Sequence, residues 1–269
     1  HYKNHAFWMS ETEVTNKEYR TFVETQEDAD RYYPNKEVVE KQLWISNYKN
    51  YFMDPLFDDF PVVGLSKTQM NAYAKWLSEN TCKENGIWLY EFRLPTKSEW
   101  QYAAAGGRSN TDFPWGGPYD RNSKGCMLLH SFDLSQRFAV YGEEAPNKYV
   151  LDVEIPDSLA KMEYDKILAC TKNLKKTKRK YFGKSLPLVG LPVPADSYFP
   201  NDYGLYGMSG NVAEITHSGE VVGGSFKTSS EYCKITEATP YPFDAAKPQS
   251  DLGFRLVCSY QSVKDVEDN

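Results

Sequence analysis

Three capping boxes lie within the first hundred residues, and they set the helical part of whatever fold this chain adopts. In such a box a Ser or Thr hydroxyl and a Glu or Gln three residues later each satisfy the other's orphaned backbone amide. Thr15-Asn16-Lys17-Glu18, Ser66-Lys67-Thr68-Gln69 and Thr96-Lys97-Ser98-Glu99 all fit. The first box leads into Tyr19, Phe22 and Val23. The second leads into Met70, Tyr73, Ala74 and Leu77, the i, i+3, i+4, i+7 stripe of a helix lying on a core. The third runs through Trp100 to Ala105 and stops at Gly106-Gly107, where glycine is the expected C-terminal punctuation. Beyond residue 110 the chain is rich in Gly, Pro, Asn and Asp, which predicts short strands and long ordered loops. Three helices in the first hundred residues, followed mainly by short strands and ordered loop, are therefore expected.

At 269 residues the chain has ample material for a core, in one large domain or two small ones. Its 20 Tyr and 14 Phe suit a loop-rich domain packed by aromatic anchors better than an aliphatic helical bundle. A net charge of −6 supplies no global basic field for nucleic acid. No apolar run approaches the roughly 20 residues of a membrane-spanning helix. The numbering opens at His1, so upstream sequence carrying any export signal or lipid anchor is expected to precede it. The five cysteines, Cys82, Cys126, Cys170, Cys233 and Cys258, are widely spaced, and an odd number cannot all pair within one chain. Mostly buried thiols, with at most one or two bridges, are expected.

Several ordered motifs carry a resemblance. Near the start stands Glu11-Thr12-Glu13-Val14-Thr15-Asn16-Lys17-Glu18-Tyr19, followed by Pro61-Val62-Val63-Gly64-Leu65-Ser66. Phe92-Arg93-Leu94-Pro95-Thr96-Lys97-Ser98-Glu99-Trp100 comes next, then Pro114-Trp115-Gly116 and Asn201-Asp202-Tyr203-Gly204-Leu205-Tyr206. Gly210-Asn211-Val212-Ala213-Glu214, Val222-Gly223-Gly224-Ser225-Phe226 and Leu252-Gly253-Phe254-Arg255 complete the series. In this order, from residue 7 to 257, they resemble the formylglycine-generating enzyme, or sulfatase-modifying factor, domain family. The resemblance implies that family's α+β fold, loop-rich, with a C-type-lectin-like core, few helices and small antiparallel sheets. It implies a single domain over residues 1–260, with an insertion at about 131–190 and a C-terminal tail at 261–269.

A narrower likeness lies in Tyr33-Pro34-Asn35, in Tyr51 to Gly64 and in Pro114 to Cys126. These segments are similar to the GldK/PorK-type lipoproteins of gliding motility and type IX secretion in Bacteroidota. The insertion is the main departure from the family pattern. Ser158 to Leu174 is a candidate helix within it, with Leu159, Met162, Ile167 and Leu168 as apolar contacts. The run Lys172-Asn173-Leu174-Lys175-Lys176-Thr177-Lys178-Arg179-Lys180 reads first as a solvated or mobile stretch. Docking to an acidic partner, phospholipid heads or nucleic acid is the other reading, with nucleic acid the weakest on a negative chain.

In the active enzymes, the resemblance implies two cysteines five residues apart that hold Cu(I) for oxygen activation. Here Cys233 matches the second position, but Thr228 stands at the first. A soft monovalent ion wants thiolates, and a threonine hydroxyl is a hard, protonated substitute. Thr228 and Cys233 are thus a degenerate copper site, copper is not expected, and Cys233 reads as a small buried residue. Cys258 is the nearest other thiol in sequence but lies outside the paired position.

Calcium is the stronger metal expectation, because the resemblance implies a Ca²⁺ held at the turn matching Asn211, Ala213 and Glu214. Six to eight oxygens are needed, and backbone carbonyls with one carboxylate and one amide supply such a set. The alternative is that Asn211 and Glu214 hydrogen-bond the turn without an ion. The family's second calcium position matches Met127-Leu128-Leu129-His130, which is poor in oxygen ligands. His130 and His217 show no metal-ligand spacing, and Glu11 and Glu13 alternate along an expected strand as charged surface.

The function expected from these readings is a non-catalytic structural or protein-binding module of the bacterial cell envelope. It would sit in the periplasm or at the outer membrane, in an oligomeric assembly of envelope proteins. Membrane association would come only through an N-terminal anchor, and no nucleic acid would take part. Two alternatives stand beside it. One is a copper-dependent oxidase acting on sulfatase cysteines, and the other a C-type-lectin-like ligand-binding module.

Overall fold

A computed structural model describes residues 6–42, 51–85, 90–123, 127–131, 191–236 and 247–260. The helices are α1 (Asn16–Glu24), α2 (Lys36–Gln42), α3 (Lys67–Asn85) and α4 (Lys97–Ala105). The strands are β1 (Phe7–Met9), β2 (Tyr90–Arg93), β3 (Ala213–Ile215), β4 (Val221–Val222), β5 (Leu252–Gly253) and β6 (Val257–Tyr260).

All three capping boxes form. Glu18 accepts from the Thr15 amide at 2.8 Å, Gln69 from the Ser66 amide at 2.9 Å, and Glu99 from the Thr96 amide at 2.8 Å. α4 ends where Gly106 takes the left-handed conformation at φ 58°, which costs glycine nothing. α2 carries no such box. Asn35 caps it alone through the Val38 amide at 3.1 Å, and Val38 has no side chain to answer.

The first sheet has the order β1-β6-β2 and is antiparallel throughout, with Trp8 and Phe92 both opposite Cys258. The second has the order β4-β3-β5; β3 and β4 are antiparallel, but β3 and β5 run parallel. The sheets are small as expected, and antiparallel but for this one pairing. β5 comes from the far C-terminal run and meets β3 after a long excursion, so no hairpin dictates its direction.

The main core is aromatic. Tyr19 and Phe22 on α1 meet Tyr73 on α3 with ring centroids 5.6 and 5.7 Å apart, and Tyr73 in turn meets Phe254 at 5.8 Å. Such pairs contribute about 0.5–1.5 kcal/mol each beyond the area they bury. The chain's early and late segments are also stitched by backbone: Ser10 donates to Leu256 and Val14 to Phe254, both at 2.9 Å. Among the described residues no helix is long and apolar enough to cross a membrane.

The expected helix at 158–174 and the basic run at 172–180 lie outside the described residues, as do Cys126 and Cys170. The two flanks of that segment do meet. Nε2 of His130 donates to the Leu191 carbonyl at 2.7 Å, and the His130 amide oxygen accepts from Asn211 at 2.7 Å. His130 is buried, which pushes its pKa down to about 4 and keeps the ring neutral. Because the flanks are held together by residues of the core, replacing 132–190 with a short Gly-Ser linker is expected to leave cooperative melting intact. Loop-closure entropy changes only slowly with loop length, so the melting temperature should move by no more than about a few degrees. Calorimetry checks this, and loss of the transition would show that the insertion belongs to the core.

Candidate functional site

After β4 the chain turns at Gly223 and Gly224, with φ at 85° and 66°, conformations natural to glycine. The turn is lashed to the 210–211 segment: Gly210 donates to Gly223 and Phe226 to Asn211, both at 2.8 Å. Thr228 closes the loop on itself. Its hydroxyl accepts from the Ser225 amide at 2.8 Å and donates to the Ser225 carbonyl at 3.1 Å. Cys233 ends the short 3-10 turn Ser230–Cys233, wholly buried against Phe113 and Leu129.

The structure thus brings Thr228 and Cys233 together, with Oγ1 and Sγ 3.6 Å apart. Burial pushes the Cys233 thiol up to about 12, against the smaller opposing effect of the Thr228 hydrogen bond. A protonated thiol facing a hydroxyl is the reverse of the thiolate pair that Cu(I) requires. Cys258, the other candidate thiol, stands on the central strand of the first sheet, whereas Cys233 packs in a separate apolar cluster.

A Cβ on Gly224 would lie 2.5 Å from Cys233 Sγ and 2.9 Å from Thr228 Oγ1. Gly224→Ala is therefore expected to cost about 2–4 kcal/mol, from left-handed strain and overpacking together. A denaturant titration reads this, and an unchanged midpoint would mean that these contacts yield easily. On the loop's other side Ser225 Oγ donates to Asp251 at 2.8 Å, and Lys227 reaches Ser250 at 2.5 Å. Nothing in the spacing of Ser225, Lys227 and Asp251 announces this cluster, because 26 positions separate Ser225 from Asp251.

The turn expected to hold calcium is built differently. Asn211 adopts a positive φ of 61°. Its amide oxygen accepts from Val193 N at 2.9 Å, while its NH2 group donates to Val193 O at 3.2 Å and Glu13 Oε1 at 3.1 Å. That pair of hydrogen bonds with the Val193 backbone fixes which way the amide faces. Glu214, on β3, accepts from Arg255 Nε on both oxygens and from Trp100 Nε1, each at 2.8 Å. Ala213 lies buried in the strand, its amide donating to Asp251 at 2.9 Å.

Arg255 and Trp100 take up both oxygens of Glu214, and the Val193 amide bonds the Asn211 oxygen. In this arrangement Asn211, Ala213 and Glu214 do not fit a calcium ion. Among the described residues no group of three or more His, Cys, Asp or Glu is placed to hold a metal.

Glu13 corrects a second expectation. Glu11 is exposed as expected, but Glu13 is wholly buried, and no strand forms there. Its Oε2 has no partner among the described residues, and its carboxylate packs where a Cβ on Gly207 would stand. Burial raises its pKa to about 8, against the attraction of Arg255. Alternation in sequence misled here because residues 11–14 bend across Tyr206 and Phe254 instead of pairing in a sheet.

The family model for the sulfatase-modifying factor enzyme 1-like domain matches residues 1–151 and 172–260. The serine/threonine-protein kinase pkn1 of Chlamydia caviae is 27% identical over 120 residues, covering 44% of this chain and 17% of that protein. The inactive C-alpha-formylglycine-generating enzyme 2 of Bos taurus is 34% identical over 64 residues, covering 24% of this chain and 17% of that protein. The chain therefore spans well under two thirds of these curated relatives.

Among solved structures, PvdO from Pseudomonas aeruginosa superposes with a TM-score of 0.51 at 16% identity, over 94% of this chain and 80% of that one. CarF gives 0.50 at 18% identity, over 95% and 87%. At such identities the likeness is one of fold. With a family match running through both sheets and every motif of the site, the chain belongs to the sulfatase-modifying factor enzyme 1-like domain family.

Proposed function

We propose that this chain is a non-catalytic member of its family, serving as a structural and protein-binding module of the bacterial cell envelope. The observation that carries the reading is Thr228: its hydroxyl is spent on the Ser225 turn and its neighbour Cys233 is a buried, protonated thiol. The inactive C-alpha-formylglycine-generating enzyme 2 of Bos taurus supports it, since inactivity is compatible with the domain. An exterior suited to contact supports it too. Trp8, Tyr90 and Tyr260 are 60%, 38% and 54% exposed and meet edge to face at 6.3 Å, an apolar row on one sheet.

The finer part of the proposal follows the likeness of Tyr33-Pro34-Asn35 and of Tyr51 to Gly64 to motility and secretion lipoproteins. On that reading the module sits in the periplasm or at the outer membrane, in an oligomeric assembly of envelope proteins. A membrane is reached only through an N-terminal anchor, and no nucleic acid takes part.

Anaerobic Cu(I) titration of the reduced protein, followed by oxygen and a Cys-x-Pro-x-Arg peptide, tests the core of this reading. The expected result is no tight copper and no change in peptide mass. One copper per chain with conversion of the peptide cysteine to formylglycine would overturn it.

A further inference from the structure

We infer that Arg255 is the structural cation at this turn, holding the Glu214 carboxylate that a bound divalent ion there would need. Its side chain is wholly buried. Nε and Nη2 fork onto the Glu214 carboxylate at 2.8 Å. Nη2 also donates to the Tyr206 carbonyl at 2.7 Å, and Nη1 to the carbonyls of Ser10 and Glu11 at 3.3 and 3.4 Å.

Those partners are two carboxylate oxygens and three carbonyls, drawn from the β1–α1 link, the loop before the Asn211 turn, and β3. A hard divalent ion collects the same kinds of oxygen. A guanidinium carries five N–H donors in a planar fork and cannot lose its charge, so it suits such a set of acceptors. It also repels any second cation drawn to Glu214, because the two charges would share one carboxylate in a medium that screens poorly.

The Asn211 turn then needs no ion. Val193 orients its amide, and the Arg255 fork immobilises the Glu214 that follows. This inference is independent of whether Thr228 abolishes copper chemistry.

The test begins with the chelator-treated full chain, titrated with CaCl2 by calorimetry and melted in CaCl2 or EGTA. The expected result is no stoichiometric uptake and one melting temperature in both buffers. A site filled at a hundred times its Kd would raise that temperature by about 5–10 °C. One calcium per chain with such a rise, lost in both Asn211→Ala and Glu214→Gln, would overturn the inference. Uptake untouched by either substitution places the ion elsewhere and leaves it standing.

Arg255→Lys is the second arm, since it keeps the charge but loses the fork. It should melt lower, or lose its cooperative transition, without restoration by CaCl2. Wild-type melting of that variant would overturn the role given to the guanidinium.

Discussion

Arg255→Met should lower the free energy of unfolding by about 3–5 kcal/mol, because it leaves the Glu214 carboxylate buried without its cation. Glu214 is 1% exposed in its side chain, and Trp100 Nε1 would be the one N–H left of those that now face it. One neutral donor cannot replace a bidentate guanidinium. The loss would also release the carbonyls of Ser10 and Tyr206 and leave that of Glu11 to the Tyr206 amide alone, loosening the seam between the chain's early and late segments.

The double variant Arg255→Met, Glu214→Gln should recover much of the loss, since removing both charges avoids stranding either one. Equilibrium urea unfolding of the single and double variants reads both effects. A single variant within about 1 kcal/mol of wild type would show that the pair is solvated in a way its burial does not allow.

The second large effect concerns pH. Glu13 has a folded pKa near 8 against an ordinary 4.5, so the folded state keeps a proton that the unfolded state releases. Its contribution is fully present below about pH 4.5, declines as pH rises toward 8, and is flat above that. The decline is on the order of a few kcal/mol.

His130 acts in the opposite sense. With a folded pKa depressed to about 4 from 6.5, its contribution is present above pH 6.5 and fades as pH falls toward 4. Comparison of wild type with Glu13→Gln separates the two, because glutamine holds no titrating proton. The difference in urea midpoint between them should change steadily from pH 5 to 8 and level off above that. A constant difference would mean that Glu13 is ionised and paired in the folded protein.

Much of the helical frame could be read without the fold. The capping boxes at Thr15, Ser66 and Thr96 work through residues three apart, so their geometry is complete within one turn. The stripe of Met70, Tyr73 and Ala74 is buried as its spacing requires, with Leu77 packed at the edge. α2 escaped because Asn35 caps it without a returning side chain. Thr228 and Cys233 were also legible as a pair, since five residues and a short turn keep them close.

What one dimension could not show is the partnership of groups far apart in the chain. Glu13 and Asn211 are 198 positions apart, and Glu214 and Arg255 are 41 apart. A carboxylate in an alternating segment looks like surface until the chain bends and buries it, and a glutamate in a turn looks like a metal ligand until an arginine reaches it. The sequence by itself determined the three boxed helices, the glycine stop of α4 and the loss of one thiolate, because each depends on a few neighbouring residues. Only the tertiary structure decided which charges are buried and which cation answers them. Burial and Coulomb attraction act through space, between segments that the chain brings together only when it folds.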